Sequence, residues 1–297
     1  PTGLTTDRIL RAYEIVPNNP SMVHHAVINV DTTSTVPSDL SGSCYVQGGQ
    51  FNIADYAPGS KPTVFPGVAA AKFGIRLKAG SSLVVQMHYP AGSAGLVDNT
   101  QIRMFFYPTS ESGIRPIHVG TPIQSWTFSI PANTTKTVTA SYPAASGYTS
   151  NISAYSIFPH SHKICTSIEN YASDGITTIP MCKINKWNFD WQGFYTYPKL
   201  LKIPSGYKIY GKHVFDNTTA NPFNPSPVTV NAGFNTYDEM VFDGLMWLDY
   251  MPGDELIDIA AILKEDSLFK VPPSYLSVND IQKSNESISA YPNPFSD

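Results

Sequence analysis

Seven histidines occur in the chain, and five of them fall in three short contexts: His24-His25 in MVHHAVI, His88 in VVQMHYP, and His160 with His162 in FPHSHKIC. Neutral imidazole is the commonest side-chain ligand of metal ions, and two imidazoles on one face are a standard start for a metal site. An H-x-H in a strand puts both rings on one face, because the side-chain period is two. Taken alone, the motif reads equally well as a pair of surface histidines. The His24-His25 pair is less natural, since adjacent strand side chains point to opposite faces. It reads first as one ring in and one out, and both reach a single ion only if the strand bulges or the rings use different nitrogens. His88 alone reads as a core or rim histidine, with Gln86 two residues before it on the same strand face. Imidazole suits zinc, copper, iron and nickel alike, whereas a thioether singles out copper, because soft ligands select Cu(I). Met240, in YDEMVF, opens a late strand in the half that carries the H-x-H; by itself it reads as core packing. No H-E-x-x-H and no carboxylate-rich ligand set is present, which speaks against a metalloprotease.

The elements that must position these residues are strands. RAYEIVP, VHHAVINV, KFGIRLKAG, SLVVQMHYP, QIRMFFYP and WTFSIPAN are short β-branched or aromatic runs bounded by Gly, Pro, Asn or Ser. The second half repeats the style in KTVTASYP, ISAYSIFPHSH, KICTSIENY, LLKIPSGYKIYGKHVF and MVFDGLMWLDYMP. Helical periodicity is nearly absent, and 20 Gly and 25 Pro supply the turns. This pattern predicts an all-β chain of antiparallel sandwiches or jelly rolls. A Pro/Gly/Ser-rich stretch near residues 112–124 separates two strand-rich halves. The expected organisation is therefore an N-terminal β-sandwich over residues 1–120, a C-terminal one over 121–264, and a polar linker and tail over 265–297. His118 falls in the stretch between the halves and is assigned no role.

Hydrophobic residues make up 42% of the 297 residues, enough for a sizeable core. Charged residues are only 14%, against about 25% in average soluble domains. The net charge of −4 leaves no basic footprint for nucleic acid. No apolar run approaches the roughly 20 residues of a membrane helix. Cys165 and Cys182 flank a hairpin with an Asp174-Gly175 turn, so a cross-hairpin disulfide is expected. Cys44 then lacks a partner, and an oxidising compartment is favoured.

The order of the motifs adds a resemblance. The second motif follows His25 by 63 residues, the H-x-H follows after a further 72, and Met240 lies 78 residues beyond His162. Over about residues 8–264 this series resembles the copper type II, ascorbate-dependent monooxygenases, which include peptidylglycine α-hydroxylating monooxygenase and dopamine β-monooxygenase. PSMVHHAVI is similar to the family's first copper motif, VVQMHYP to its second, HSH to its H-x-H and YDEM to its methionine motif. The resemblance implies two copper ions per chain. His24, His25 and His88 would hold the one that stores and passes electrons; His160, His162 and Met240 would hold the one that binds O2 and attacks the substrate C–H bond. It implies two antiparallel β-sandwich domains facing each other across a cleft, ascorbate or another one-electron reductant as co-substrate, and Gln86 as a neighbour of the first copper or a cleft residue.

The chain also departs from that family. Phe158 stands where the peptide-hydroxylating members carry the arginine that grips a substrate carboxylate. Phe242 and Gly244 replace an asparagine and a tyrosine, and Val241 replaces a cysteine whose partner position is taken by His213. A C-terminal peptide carboxylate is therefore not expected as substrate, and Phe158 and Phe242 would make the pocket more apolar if they face it. His213 reads first as a rim histidine, with a third polar neighbour of the second copper as the alternative. The end of the chain, SISAYPNPFSD, resembles the start of the sorting domain read by bacterial type IX secretion, so an exported, extracellular or cell-surface protein is expected. The functional expectation is a monooxygenase that hydroxylates a C–H bond of an unknown small-molecule or peptide-like substrate with O2. The rival is a copper-binding or adhesion module that kept the sites without turnover.

Overall fold

The structure is a computed structural model and describes residues 1–23, 25–33, 35–36, 51–56, 60, 62–69, 71–89, 92–93, 95–189, 191–224 and 226–266. His24, Cys44 and the YPNPF tail lie outside the described residues.

The first half forms β1 (Arg8–Val16), β2 (His25–Asp31), β3 (Phe51–Tyr56), β4 (Thr63–Val64), β5 (Gly67–Val68), β6 (Ala71–Leu77), β7 (Ser82–His88), β8 (Gln101–Phe106) and β9 (Arg115–Pro116). The second half forms β10 (His118–Ser125), β11 (Ser129–Ile130), β12 (Thr134–Tyr142), β13 (Ile152–Phe158), β14 (Cys165–Ser173), β15 (Thr178–Ile184), β16 (Tyr195–Ile203), β17 (Lys208–Asn217), β18 (Val230–Asn231) and β19 (Val241–Asp249). A short helix, α1 (Ile259–Glu265), follows, capped by the Asp258 side chain, which accepts from Ala261 N–H at 2.8 Å. The chain is all-β, as the recurring short runs require, and its sheets are overwhelmingly antiparallel.

In the first half a six-stranded sheet is built around β1 and β6, and a separate three-stranded sheet runs β3-β2-β7. In the second half β10-β19-β13-β16 packs against β12-β17-β14-β15. Ile123, Ile157, Val241 and Leu245 from the one sheet meet Ile168, Ile209 and Phe215 from the other in a shared core. This is the arrangement of a sandwich.

The halves are not separated throughout by solvent. Tyr155, Met246 and Leu248 point away from that core and join Leu10, Phe65, Phe73 and Ile75 of the first half. The β10-β19-β13-β16 sheet is thus buried on both faces. That explains why GLMWLDY reads as a continuous apolar run rather than an alternating one. Two ion pairs tie the junction. Arg115 is bidentate on buried Asp254 at 2.6 and 2.8 Å, and Arg11 donates through Nη2 alone to both carboxylate oxygens of Asp266 at 2.8 and 2.6 Å.

Two expectations need correction. The stretch between the halves is no bare linker: after residues 112–114, β9 pairs with β6 in the first half and β10 pairs with β19 in the second, so strand lies on both sides of buried Ile117. His118 starts β10 and stacks on Trp247. The second correction concerns the cross-hairpin disulfide. The hairpin forms around Asp174-Gly175, but its register sets Cys182 opposite Asn170, while Cys165 faces Phe215 of β17. Five residues of strand, roughly 17 Å, separate Cys165 from Asn170, beyond the reach of a disulfide. Both thiols are free.

Candidate metal centres

The first group is built by the β2–β7 pairing. Along β2, Ala26, Ile28 and Val30 are buried while His25, Val27 and Asn29 are half-buried, so alternate residues face the core and the other side of the sheet. The register sets His25 opposite His88 and Val27 opposite Gln86, and directly opposed residues share a face. The two histidine rings meet edge to face, with centroids 4.6 Å apart and planes at 74°. Their Nδ1 atoms are 3.3 Å apart. That is long for a hydrogen bond. It matches the separation of about 3.3–3.4 Å between two nitrogens that each sit about 2.0–2.1 Å from one tetrahedral ion. Asp55, opposite Val27 on the other side of β2, shares this face. Burial pushes its carboxyl up to about 7, against the opposing hydrogen bond from Asn52.

The second group does not lie in a strand. His160, Ser161 and His162 occupy the connection between β13 and β14, so the period-two reason for their convergence does not apply. Hydrogen bonds to the turn do the work instead. Asp243 Oδ1 accepts from His160 N–H at 3.1 Å; the Glu239 carboxylate accepts from His162 N–H at 2.9 Å and Ile164 N–H at 2.7 Å. Glu239 also accepts from Met240 N–H at 3.3 Å, and Ser161 Oγ donates to the Met240 carbonyl at 2.5 Å. The segment that supplies Met240 therefore also supplies the two carboxylates that hold the histidine turn. The two imidazoles stand at 90° with centroids 5.5 Å apart, and Met240 is buried. Burial pushes Glu239 up to about 7, opposed by the backbone N–H groups it accepts from.

Each ring of this turn is anchored through Nδ1. His162 Nδ1 lies 2.9 Å from the Asp238 carbonyl, which can only accept, so Nδ1 carries the proton. His160 Nδ1 meets Oε1 of Gln192, whose Nε2 donates to the Phe189 carbonyl at 2.7 Å and so fixes the amide orientation. Both rings are thus Nδ1–H tautomers whose Nε2 keeps its lone pair, the form a metal ligand needs. Burial pushes His160 down to about 3, helped by the neighbouring His162, and burial also lowers His162, so both rings are neutral at ordinary pH. His25 also depresses His160, which sets the first pair within electrostatic range of the second group.

The donor chemistry of both groups fits copper. His24 lies outside the described residues, so the first set is described by His25 and His88. Among the described residues no group of three or more His, Cys, Asp or Glu gathers as a metal site. Aromatic rings line His160. Phe158 is stacked on it at 6.0 Å and Phe242 lies edge-on at 6.2 Å; Phe194 packs on Phe158, and Trp126 sits between Phe242 and Phe234.

The reading of His213 as a rim histidine is wrong. It is fully buried, 3.0 Å from Asp243 Oδ2, because it takes an inward position of β17 between Gly211 and Phe215. That alternation was available in KIYGKHVFDN. So was the signal for Asp243, a charge inside an apolar strand, which demands a partner. Gln192 carried no local signal.

No protein-family model matches the chain, and no curated protein does. Among solved structures, the chain is similar to one of the infectious bursal disease virus Gx strain (10% identity, TM-score 0.24), covering 86% of this chain and 60% of that one. It is also similar to the VP2 subviral particle of infectious bursal disease virus, at 12% identity and a TM-score of 0.23, covering 86% and 59%. The chain thus spans about three-fifths of the length of these structures. Overlap at such TM-scores is too slight to assign a fold family.

Proposed function

We propose that the chain is an exported copper-dependent monooxygenase. It inserts one oxygen atom of O2 into a substrate C–H bond and reduces the other to water, with two electrons from an external reductant such as ascorbate. The observation that supports this most is the pair of Nδ1 atoms 3.3 Å apart across β2 and β7, together with a second group of two Nε2-presenting imidazoles on a turn hydrogen-bonded to the backbone of buried Met240. Copper, when bound, would supply the one-electron chemistry and the activation of O2.

The chain's own residues account for the rest. His25 and His88, with His24, hold the electron-storing site. His160 and His162 present Nε2 to the other site, and the thioether of Met240 favours the reduced ion there. Phe158 and Phe242 bring apolar rings rather than a cation to the side of His160, which favours a neutral C–H group over a carboxylate-bearing substrate.

The test is copper content and oxygen balance. Copper-loaded protein should carry two ions per chain and, with ascorbate, form hydroxylated product in step with O2 consumed. If fully loaded protein consumes O2 only without product across a broad panel of apolar substrates, the monooxygenase reading fails and a copper-binding module remains.

A further inference from the structure

Beneath the histidine turn lies a set of polar side chains sealed from water: Ser161, His213 and Asp243 are 0% exposed and Asn170 is 1% exposed. Asp243 accepts from three donors: His160 N–H at 3.1 Å, Asn170 Nδ2 at 2.7 Å and His213 Nε2 at 3.0 Å. The other ring nitrogen, His213 Nδ1, lies 3.2 Å from Ser161 Oγ, which is 2.5 Å from the Met240 carbonyl. A continuous chain of hydrogen bonds thus runs from the backbone of His160 to the backbone of Met240.

Ser161 has one hydroxyl hydrogen, and the Met240 carbonyl, at the shorter distance, can only accept it. His213 Nε2–H faces the Asp243 carboxylate, and Nδ1 faces Ser161 Oγ. The serine–histidine–aspartate order is that of a hydrolytic triad. Here, however, the serine is sealed in and its hydrogen is committed to a carbonyl, so it is no nucleophile. Gly211 completes the niche: a Cβ there would overlap Asp243 Oδ2.

A buried histidine–carboxylate pair contributes little net stability compared with apolar residues of the same volume. What this pair does have is position, because it links the segment of His160 and His162 to that of Met240. We infer that Asp243 and His213 are positioning residues that hold His160, His162 and Met240 in one ligand geometry. This rests on the reading that the trio holds copper.

The test uses the whole chain loaded with copper. Cu(I) affinity at each site is measured by competition with a chromogenic chelator, alongside the Cu(II) EPR spectrum and thermal unfolding. The variants are Asp243→Asn and the double variant His213→Phe with Asp243→Leu, which replaces the pair by apolar groups. In folded variants, second-site affinity should fall about 10–100-fold with the first site unchanged, and the EPR signal of the second copper should broaden. Wild-type affinity in a folded double variant overturns the inference. So does an equal loss at both sites with a lower Tm, which would mark the pair as general support. If the double variant does not fold, Gly211→Ala decides, because it displaces the carboxylate without removing a polar group and carries the same expected loss. Absence of copper from the trio in the wild-type protein overturns the underlying reading as well, and shows before any variant is made.

Discussion

Substituting His88→Ala tests the first copper set most directly. His88 is exposed at the end of β7 and His25 half-buried opposite it. Removing one exposed ring should change the metal-free fold by no more than about 0.5 kcal/mol, a Tm shift of about 1–2 °C at roughly 2–4 °C per kcal/mol. Copper changes that comparison. An ion held about 2.0–2.1 Å from both Nδ1 atoms, at the observed 3.3 Å separation, subtends an angle near tetrahedral. At 100 times its Kd, each filled site stabilises the native chain by about 2.7 kcal/mol, or about 5–11 °C. Wild-type protein should therefore gain about twice that increment on copper loading, and His88→Ala about one increment only. Binding of copper to unfolded histidines would shrink both values but leave their ratio near two. The assay is thermal unfolding with and without copper, with metal per chain counted after dialysis. If His88→Ala keeps two coppers per chain and the full wild-type increment, the convergence of His25 and His88 on one ion is refuted.

Met240→Leu keeps the volume of a buried side chain and should cost less than about 1.5 kcal/mol. It should nevertheless release the second copper and abolish oxygenation while the first copper stays; two retained coppers with full activity would exclude the thioether as ligand. Arg115→Ala strands Asp254, which is 3% exposed, and should destabilise the chain by about 3–5 kcal/mol. A Tm fall under about 5 °C would show that the junction does not depend on that pair. For Asp55, burial raises the folded carboxyl from 3.8 to about 7, so the native state holds a proton that the unfolded state releases. Stability should fall as pH rises from about 4 to about 7 and level off above. Asp55→Asn should flatten that part of the Tm–pH curve, and an unchanged slope would refute the assignment.

The strand character of the chain was legible because alternation and turn residues are local properties. The runs around His25 and His88 formed strands, and the odd and even residues of HAVINV parted between two faces as a period of two requires. The H-x-H was legible as two neighbouring imidazoles but not as a turn, since Pro159 and the polar residues after it carry no sign of what holds them. The cysteine pairing failed for a related reason: symmetric placement about Asp174-Gly175 does not fix register, and a bulge between Asn170 and Tyr171 shifts it.

Sequence alone determined the all-β class, the inventory of seven histidines and the order in which the candidate ligands occur. Tertiary structure decided what each of them touches. His25 meets His88 because two strands 63 residues apart pair in one register. The histidine turn is held by Glu239 and Asp243, 75–83 residues away, and His213 is turned inward by its place in β17. Spacing along the chain reports only the local period. Contacts between segments tens of residues apart are set by how the sheets pack, and the hydrogen-bond partners that fix ring tautomer and orientation come from those distant segments.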